Sequence, residues 1–229
     1  MLTVAHLLYT TGHTAPAGDQ LVRAELVERA LDLARMLSTL MPDDREVRGL
    51  LALLLLTDAR RTTRTAADGR LLLLEEQDRS RWDRQAIGQG RQLVDQALRR
   101  GRPGRFTLQA AIAAVHAEAP SYADTDWPEV LGLYELLLAV WPSPVVALNR
   151  AVAVAMVQGP AAGLAALEEV ADDPHLATYP YLAATRADLL RRLGQTHDAA
   201  QAYRTALSLA SNAAEQDFLT RRLAELTAT

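Results

Sequence analysis

The 229-residue chain contains no cysteine and no lysine. The first absence excludes disulfides, a thiol nucleophile and any cysteine-based zinc centre, and it fits a reducing compartment. The second makes all 24 cationic side chains arginine, the pattern of coding bias in a GC-rich genome. Aromatic residues amount to only 5%, and they form no series on which nucleic-acid bases would stack. Long hydrophobic runs are missing too. The longest, Leu50 to Leu56, is far too short to cross a bilayer, and the N-terminus shows no basic segment followed by an apolar block and a small-residue cleavage site. The expectation is a cytoplasmic protein with no membrane attachment.

Motifs that carry chemistry are equally scarce. None of the five histidines (His6, His13, His116, His175, His197) has a partner at metal-ligand spacing, and His116 and Glu118, two apart, point to different sides of a helix. GxSxG, GxxxxGK[ST] and GxGxxG do not occur. GRPGR at 101–105 lacks the preceding strand that a phosphate-cradling turn needs and reads as a linker. Glu75, Glu76 and Asp78 could be drawn as a metal or acid–base set. Arg79, Arg81 and Arg84 beside them would instead keep those carboxylates charged and offer ion pairs. The expectation is a non-enzyme without cofactor or metal.

What the chain does have is 49% hydrophobic and 23% charged residues, as in an ordinary globular protein, and a lopsided charge. Residues 60–105 hold 12 arginines against 6 acids, +6 within a net −4. Such a segment is a candidate surface for an acidic partner, with a solvated face as the plainer reading.

Apolar residues recur at helical spacing almost throughout. Leu21, Val22, Leu26, Ala30, Leu33, Leu37 and Leu40 form a stripe with Asp19 as candidate cap and Pro42 as stop, and a second helix from about Asp44 to Ala59 is apolar on most faces, hence buried. Residues 60–74 have no helical period but contain the turn pair Asp68-Gly69, which reads as an irregular excursion with a small hairpin. Ser80, followed by Asp83, reads as a capping-box pair opening a helix whose stripe runs Trp82, Ala86, Gly90, Leu93, Val94, Ala97, Leu98 until Gly101. Further helices are expected over about 107–117, 127–140, 144–158, 161–171, 181–193, 197–210 and 213–226, separated by Pro120, Pro142, Gly159-Pro160, Pro174 and Gly194.

The last of these repeat. In LLRRLGQTHDAAQAYRTALSLA, Gly194 at a turn is followed by Ala199, Tyr203 and Ala206, which puts a small, a large and a small residue on one helix face. In LNRAVAVAMVQGPAAGLAALEEV, thirty-five residues earlier, Gly159, Gly163, Leu167 and Val170 play similar parts. This resembles the tetratricopeptide repeat, a 34-residue helical hairpin. The expected fold is all-α: antiparallel helical hairpins stacked in a tetratricopeptide-like right-handed superhelix, with one irregular excursion at about 60–79. The chain reads as a single helical-repeat domain, 1–229, with degenerate hairpins over 1–105 and clearer repeats over 106–229. Stacking turns the first helix of each hairpin inward, which places Asn149, Arg150, Tyr181, Asp188 and Arg192 on a concave face suited to an extended peptide or partner helix. The plainer reading of Arg150 is an ion pair with a nearby carboxylate.

The blocks LLALLLLTDARRTTR, DGRLLLLEEQDRSRWD, QAAIAAVHAEAPSYADTDW, SPVVALNRAVAVA and RADLLRRLGQTHDAAQAYRTALSLASNAAEQDFL together resemble the C-terminal, tetratricopeptide-like extension of a group of bacterial extracytoplasmic-function (ECF) RNA polymerase sigma factors. The resemblance covers nearly the whole chain. It implies a non-catalytic regulatory domain that contacts sigma-factor core domains, RNA polymerase, or a regulatory protein or peptide. The opening LTVAHLLYTTGHTAPAGDQ corresponds to the first helix of that extension, so the core-binding and promoter-reading domains are expected to be absent and direct DNA contact is not expected. In that light Arg60, Arg61, Arg64, Arg79 and Arg81 are candidates for a basic face against an acidic protein surface. The alternative is a stand-alone helical-repeat scaffold that binds a peptide or small ligand in its concave face, and a third reading is an enzyme with its site in the 60–83 excursion.

Overall fold

The structure, a computed structural model, describes residues 1–13, 23–99 and 101–227. Among these residues eleven α-helices and two short 3-10 helices form and no strand does, so the chain is all-α, as its periodicity dictates. It divides into two compact units, 1–126 and 127–229. The expected Asp19 cap and the stripe residues Leu21 and Val22 lie outside the described residues.

In the first unit α1 (Leu2–His13), α2 (Ala24–Leu40), α4 (Arg84–Leu98) and α5 (Arg105–Glu118) all pack on α3 (Arg45–Asp58). A helix apolar on every face must be covered on every face, and the run from Leu50 to Leu56 is buried throughout. Asp44 starts α3 by accepting from the N–H groups of Glu46 (2.8 Å) and Val47 (3.2 Å). Helix α5, grouped with the second half in the sequence reading, belongs here: it packs on α3 and α4.

Two close approaches hold this unit. A Cβ at Gly90 of α4 would stand 2.6 Å from Cγ of Leu56, and one at Gly49 of α3 would stand 2.5 Å from the Thr107 nitrogen of α5. The second brings Glu46 to the N-terminus of α5, where its carboxylate accepts from the Phe106 N–H (2.8 Å), the Thr107 N–H (3.2 Å) and the Thr107 hydroxyl (2.7 Å). GRPGR is therefore more than a linker. Gly104 leaves room for that carboxylate, since a Cβ there would lie 2.5 Å from its carbon. A side chain about 60 residues away thus takes the N-cap role that no local residue fills.

The second unit is a run of hairpins: α6 (Trp127–Val140), α7 (Pro144–Gln158), α8 (Pro160–Glu168), α9 (Pro180–Arg192), α10 (Thr196–Leu209) and α11 (Ala213–Thr227), each packed on the next. The repeat residues behave as their spacing requires. Ala199, Tyr203 and Ala206 are buried, and Gly194 holds φ +75° at the turn. Gly159 holds φ +95°, and Gly163 lets α8 close on α7: a Cβ there would meet Cβ of Ala155 at 2.4 Å. Asn212, 1% exposed, caps α11 by accepting from the Ala214 N–H at 3.0 Å.

Two stripes differ from expectation. In α2 the buried residues are Val27, Ala30, Leu31, Ala34 and Leu37, while Leu40 is 70% exposed, because the helix is rotated toward the Val27 side. The opening of α4 is corrected as well. Ser80 is no cap and Trp82 is not helical: Asp78 caps a 3-10 turn over Arg79–Arg81, Trp82 is extended, and Asp83 caps α4 by accepting from Gln85 (2.9 Å) and Ala86 (3.0 Å).

Glu46→Ala should destabilise the first unit by roughly 1–3 kcal/mol in urea unfolding, since it strands two N–H groups and a buried hydroxyl. Gly163→Val should cost about 1–3 kcal/mol by forcing α7 and α8 apart. Gly132→Ala, in open space within α6, should instead gain up to about 1 kcal/mol.

Candidate functional site

The chain leaves α3 at Ala59 and returns at Asp83, whose N–H donates to the Ala59 carbonyl at 2.9 Å, so residues 60–82 form a closed excursion. Inside it, an isolated antiparallel bridge pairs Thr65 with Leu71 about the Asp68-Gly69 turn, with Gly69 at φ +85°. The expected hairpin is this bridge alone. At its base Trp82, 4% exposed, donates its indole N–H to the Thr63 hydroxyl at 2.9 Å. That hydroxyl in turn donates to the Arg60 carbonyl at 3.0 Å, and the buried amide of Gln77 donates to the Leu72 carbonyl at 3.2 Å. Indole, threonine and glutamine are satisfied by one another and by backbone, which lets polar groups occupy a buried loop base.

The arginines of this segment, expected on an outer basic face, mostly turn inward. Arg61 forks onto Asp58 with two 2.7 Å hydrogen bonds. Arg64 donates to the His13 carbonyl of α1. Arg79 is 8% exposed: its Nη1 donates to the carbonyls of His116 (2.6 Å) and Ala119 (2.8 Å) at the end of α5, and its guanidinium lies 4.5 Å from the Trp82 ring centre. Arg84 donates to the Arg79 carbonyl at 3.1 Å. A guanidinium supplies the donors that helix-end carbonyls lack, so the excursion is sewn to α1 and α5 by arginine. Arg60 is half-buried, and of the five candidates Arg81 alone is exposed.

The cluster is electrostatically one-sided. Burial, then Arg64, Arg60 and Arg61, lowers His13 to about 2; burial, then Arg60 and Arg79, lowers His116 to about 4. Both imidazoles are therefore neutral at physiological pH. The His13 Nδ1 lies 3.2 Å from the Tyr9 hydroxyl, and burial followed by the Asp58 charge pushes that phenol up. Arg60 is shifted down, chiefly by burial, with Arg79 adding to the effect.

The acids of the excursion do not gather. Glu76 pairs with Arg70 at 3.0 Å and accepts from the Leu73 N–H, and Asp78 is held low first by hydrogen bonds from Ser80 and only last by the charge of Arg81. Among the described residues no three His, Asp or Glu side chains stand together in a way that could hold a metal ion.

In the second unit the candidate positions are largely paired. Arg150 reaches Glu135 at 3.5 Å, the ion pair that its plainer reading foresaw. Asp188 is bound by Arg191 at 2.6 Å, and the Tyr181 hydroxyl donates to Glu215. Arg192 is exposed, with one nitrogen 3.7 Å from the Met156 sulfur, and Asn149 is exposed. The sequence reading missed the carbonyl-binding role of Arg79 and the capping role of Glu46, because both partners are distant in the chain.

Trp82→Ala should cost about 3–5 kcal/mol by emptying the loop base, and Trp82→Phe about 1 kcal/mol by losing the bond to Thr63. Both His13 and His116 have folded pKa values below the unfolded 6.5, so the unfolded chain takes up protons first as pH falls. The stability they support is fully present above pH 6.5 and declines below it by roughly 1.4 kcal/mol per pH unit for each histidine. His116→Gln should reduce that slope by one histidine's share between pH 6.5 and 5, read from urea midpoints.

Comparison with known proteins gives three findings. Residues 1–98 match the sequence model of a family described as of unknown function, DUF6596. An uncharacterized protein of Rhizobium meliloti (strain 1021) is 42% identical over 226 residues, which is 99% of this chain and 53% of the relative, so the chain spans about half the length of the curated protein it matches. The crystal structure of a thermophilic TPR protein of Thermus thermophilus superposes with a TM-score of 0.57 at 18% identity, covering 100% of this chain and 97% of the other. The fold is thus similar to that of a tetratricopeptide-repeat protein.

Proposed function

We propose that this chain is a non-catalytic protein-interaction module that regulates an ECF-type RNA polymerase sigma factor in the cytoplasm. The observation that carries the reading is the fold: helical hairpins similar to those of a tetratricopeptide-repeat protein, a likeness that covers the whole chain. Stacked hairpins present wide surfaces to other chains. Exposed Asn149 on α7 and Arg192 on α9, and exposed Leu136 and Val140 one turn apart on α6, supply the polar and apolar contacts such a surface uses. The sigma-factor context rests on the sequence blocks that resemble the sigma-factor extension.

Protein contact is favoured over DNA contact because several arginines of the basic segment are engaged within the fold. Arg61, Arg64 and Arg79 are bound to Asp58 and to backbone carbonyls, which withdraws these three cations from phosphate contact. No described helix is long and apolar enough to cross a membrane.

A pull-down of the chain against polymerase core and against isolated sigma domains should retain one of them. Asn149→Ala combined with Arg192→Ala should weaken retention at least about ten-fold, a loss near 1.4 kcal/mol, without changing the unfolding midpoint. No retention by either bait would overturn the reading.

A further inference from the structure

We infer that the outer face of α1 and α2 is a homodimer interface, a surface that takes a second copy of this chain. The inference holds whether or not the chain acts on a sigma factor.

The two helices run side by side, in opposite directions, from a fixed junction. The Arg23 N–H donates to the Gly12 carbonyl at 2.7 Å, and a Cβ at Gly12 would stand 2.8 Å from Cβ of Leu26. From Gly12 back to Val4, and from Leu26 on to Ala34, each helix advances about 12 Å, so Val4 stands level with Ala34. Ala5 and Tyr9 of α1, with Val27, Leu31 and Ala34 of α2, are buried in the unit. The opposite face carries Val4 (64% exposed), Leu7 (58%), Met36 (51%) and Leu40 (70%), with half-buried Leu8 and Leu33 between them and exposed Met1 at the edge.

Such a face is out of place at the end of a helical stack, where the terminal helices ordinarily turn polar side chains outward. Helix α11, which ends the second unit, does so: it has no exposed large apolar side chain among the described residues. On α1 and α2, five large apolar side chains that are half to four-fifths exposed amount to on the order of 500 Å² of apolar surface, toward the top of what the largest patch of a monomer reaches. A dimer interface of standard size covers about 800 Å² of each copy, roughly two-thirds of it apolar in homodimers, which again is about 500 Å². The area available is the area a stable dimer needs.

Charge favours a copy over a different protein. Helix α1 has no acidic residue and no arginine, and the exposed rim of α2 alternates in sign through Glu25, Arg29 and Asp32, the last paired with Arg35 at 3.1 Å. A face with so little net charge does not repel its own copy, and it offers a strongly acidic or basic partner no complement. Two such hairpins laid face to face about a two-fold axis cover each apolar stripe with the same stripe of the copy.

Sedimentation equilibrium of the full chain tests the interface. The mass should rise from 25.0 kDa at high dilution towards twice that value as the concentration approaches about 100 μM. Val4→Arg combined with Leu40→Arg should weaken association at least about 100-fold, because each copy then carries two unpaired cations into the contact, while the thermal midpoint at high dilution stays that of the unmodified chain. Val140→Arg, at an exposed apolar position of α6, should leave the dimer intact. A mass of 25.0 kDa at every concentration would overturn the inference and leave the face to a different protein. A dimer that survives Val4→Arg with Leu40→Arg, or one lost equally in Val140→Arg, would place the contact elsewhere and overturn it too. Unfolding of the double variant at high dilution would do the same, since the two side chains would then belong to the packing of the single copy.

Discussion

Helix pairs in this protein meet where one of them has nothing beyond its Cα. Gly49 lies against the Thr107 backbone, Gly90 against Leu56 and Gly163 against Ala155, each so close that a methyl group could not be inserted without moving a neighbour. Close-packed interiors do not stretch to absorb such a group. The short distance also has a polar consequence: only because α5 comes so near α3 can Glu46 reach across and hold the first amides of α5. One small residue thus sets both a packing distance and the cap that it makes available.

The second unit was legible in the sequence because its punctuation is local. Proline and glycine lie at the ends of α6 through α9, and the Gly194, Ala199, Tyr203, Ala206 series states both the turn and the buried face of its hairpin. The first unit was legible only in outline. Its α2 stripe keeps Ala30 and Leu37 but buries Val27, Leu31 and Ala34 in place of Leu26, Leu33 and Leu40, because an Ala- and Leu-rich helix offers two nearly equivalent apolar faces and its neighbours choose between them. The cap on α5 and the anchoring of Arg79 join residues about 60 and about 40 positions apart, a separation that no local pattern encodes.

The same blindness explains the arginines. Charge excess in a segment says that cations are there, not what they face. Here Arg61, Arg64 and Arg79 hold an irregular loop in place, a task that a helix or strand would leave to its own backbone. The excursion is a structural element built from side chains, and the block DGRLLLLEEQDRSRWD, one of those that resemble the sigma-factor extension, lies almost wholly within it. What distinguishes this unit from a plain hairpin stack is that loop, held by side chains.

The partners that Arg79 grips are main-chain oxygens, of His116 and Ala119. Every amino acid carries that oxygen. Residues 116 and 119 are therefore interchangeable as acceptors, within the space their side chains occupy, while position 79 is not, so substitutions that keep the size at 116 and 119 would spare the clamp and those at 79 would break it. Two ends of one contact would drift at different speeds.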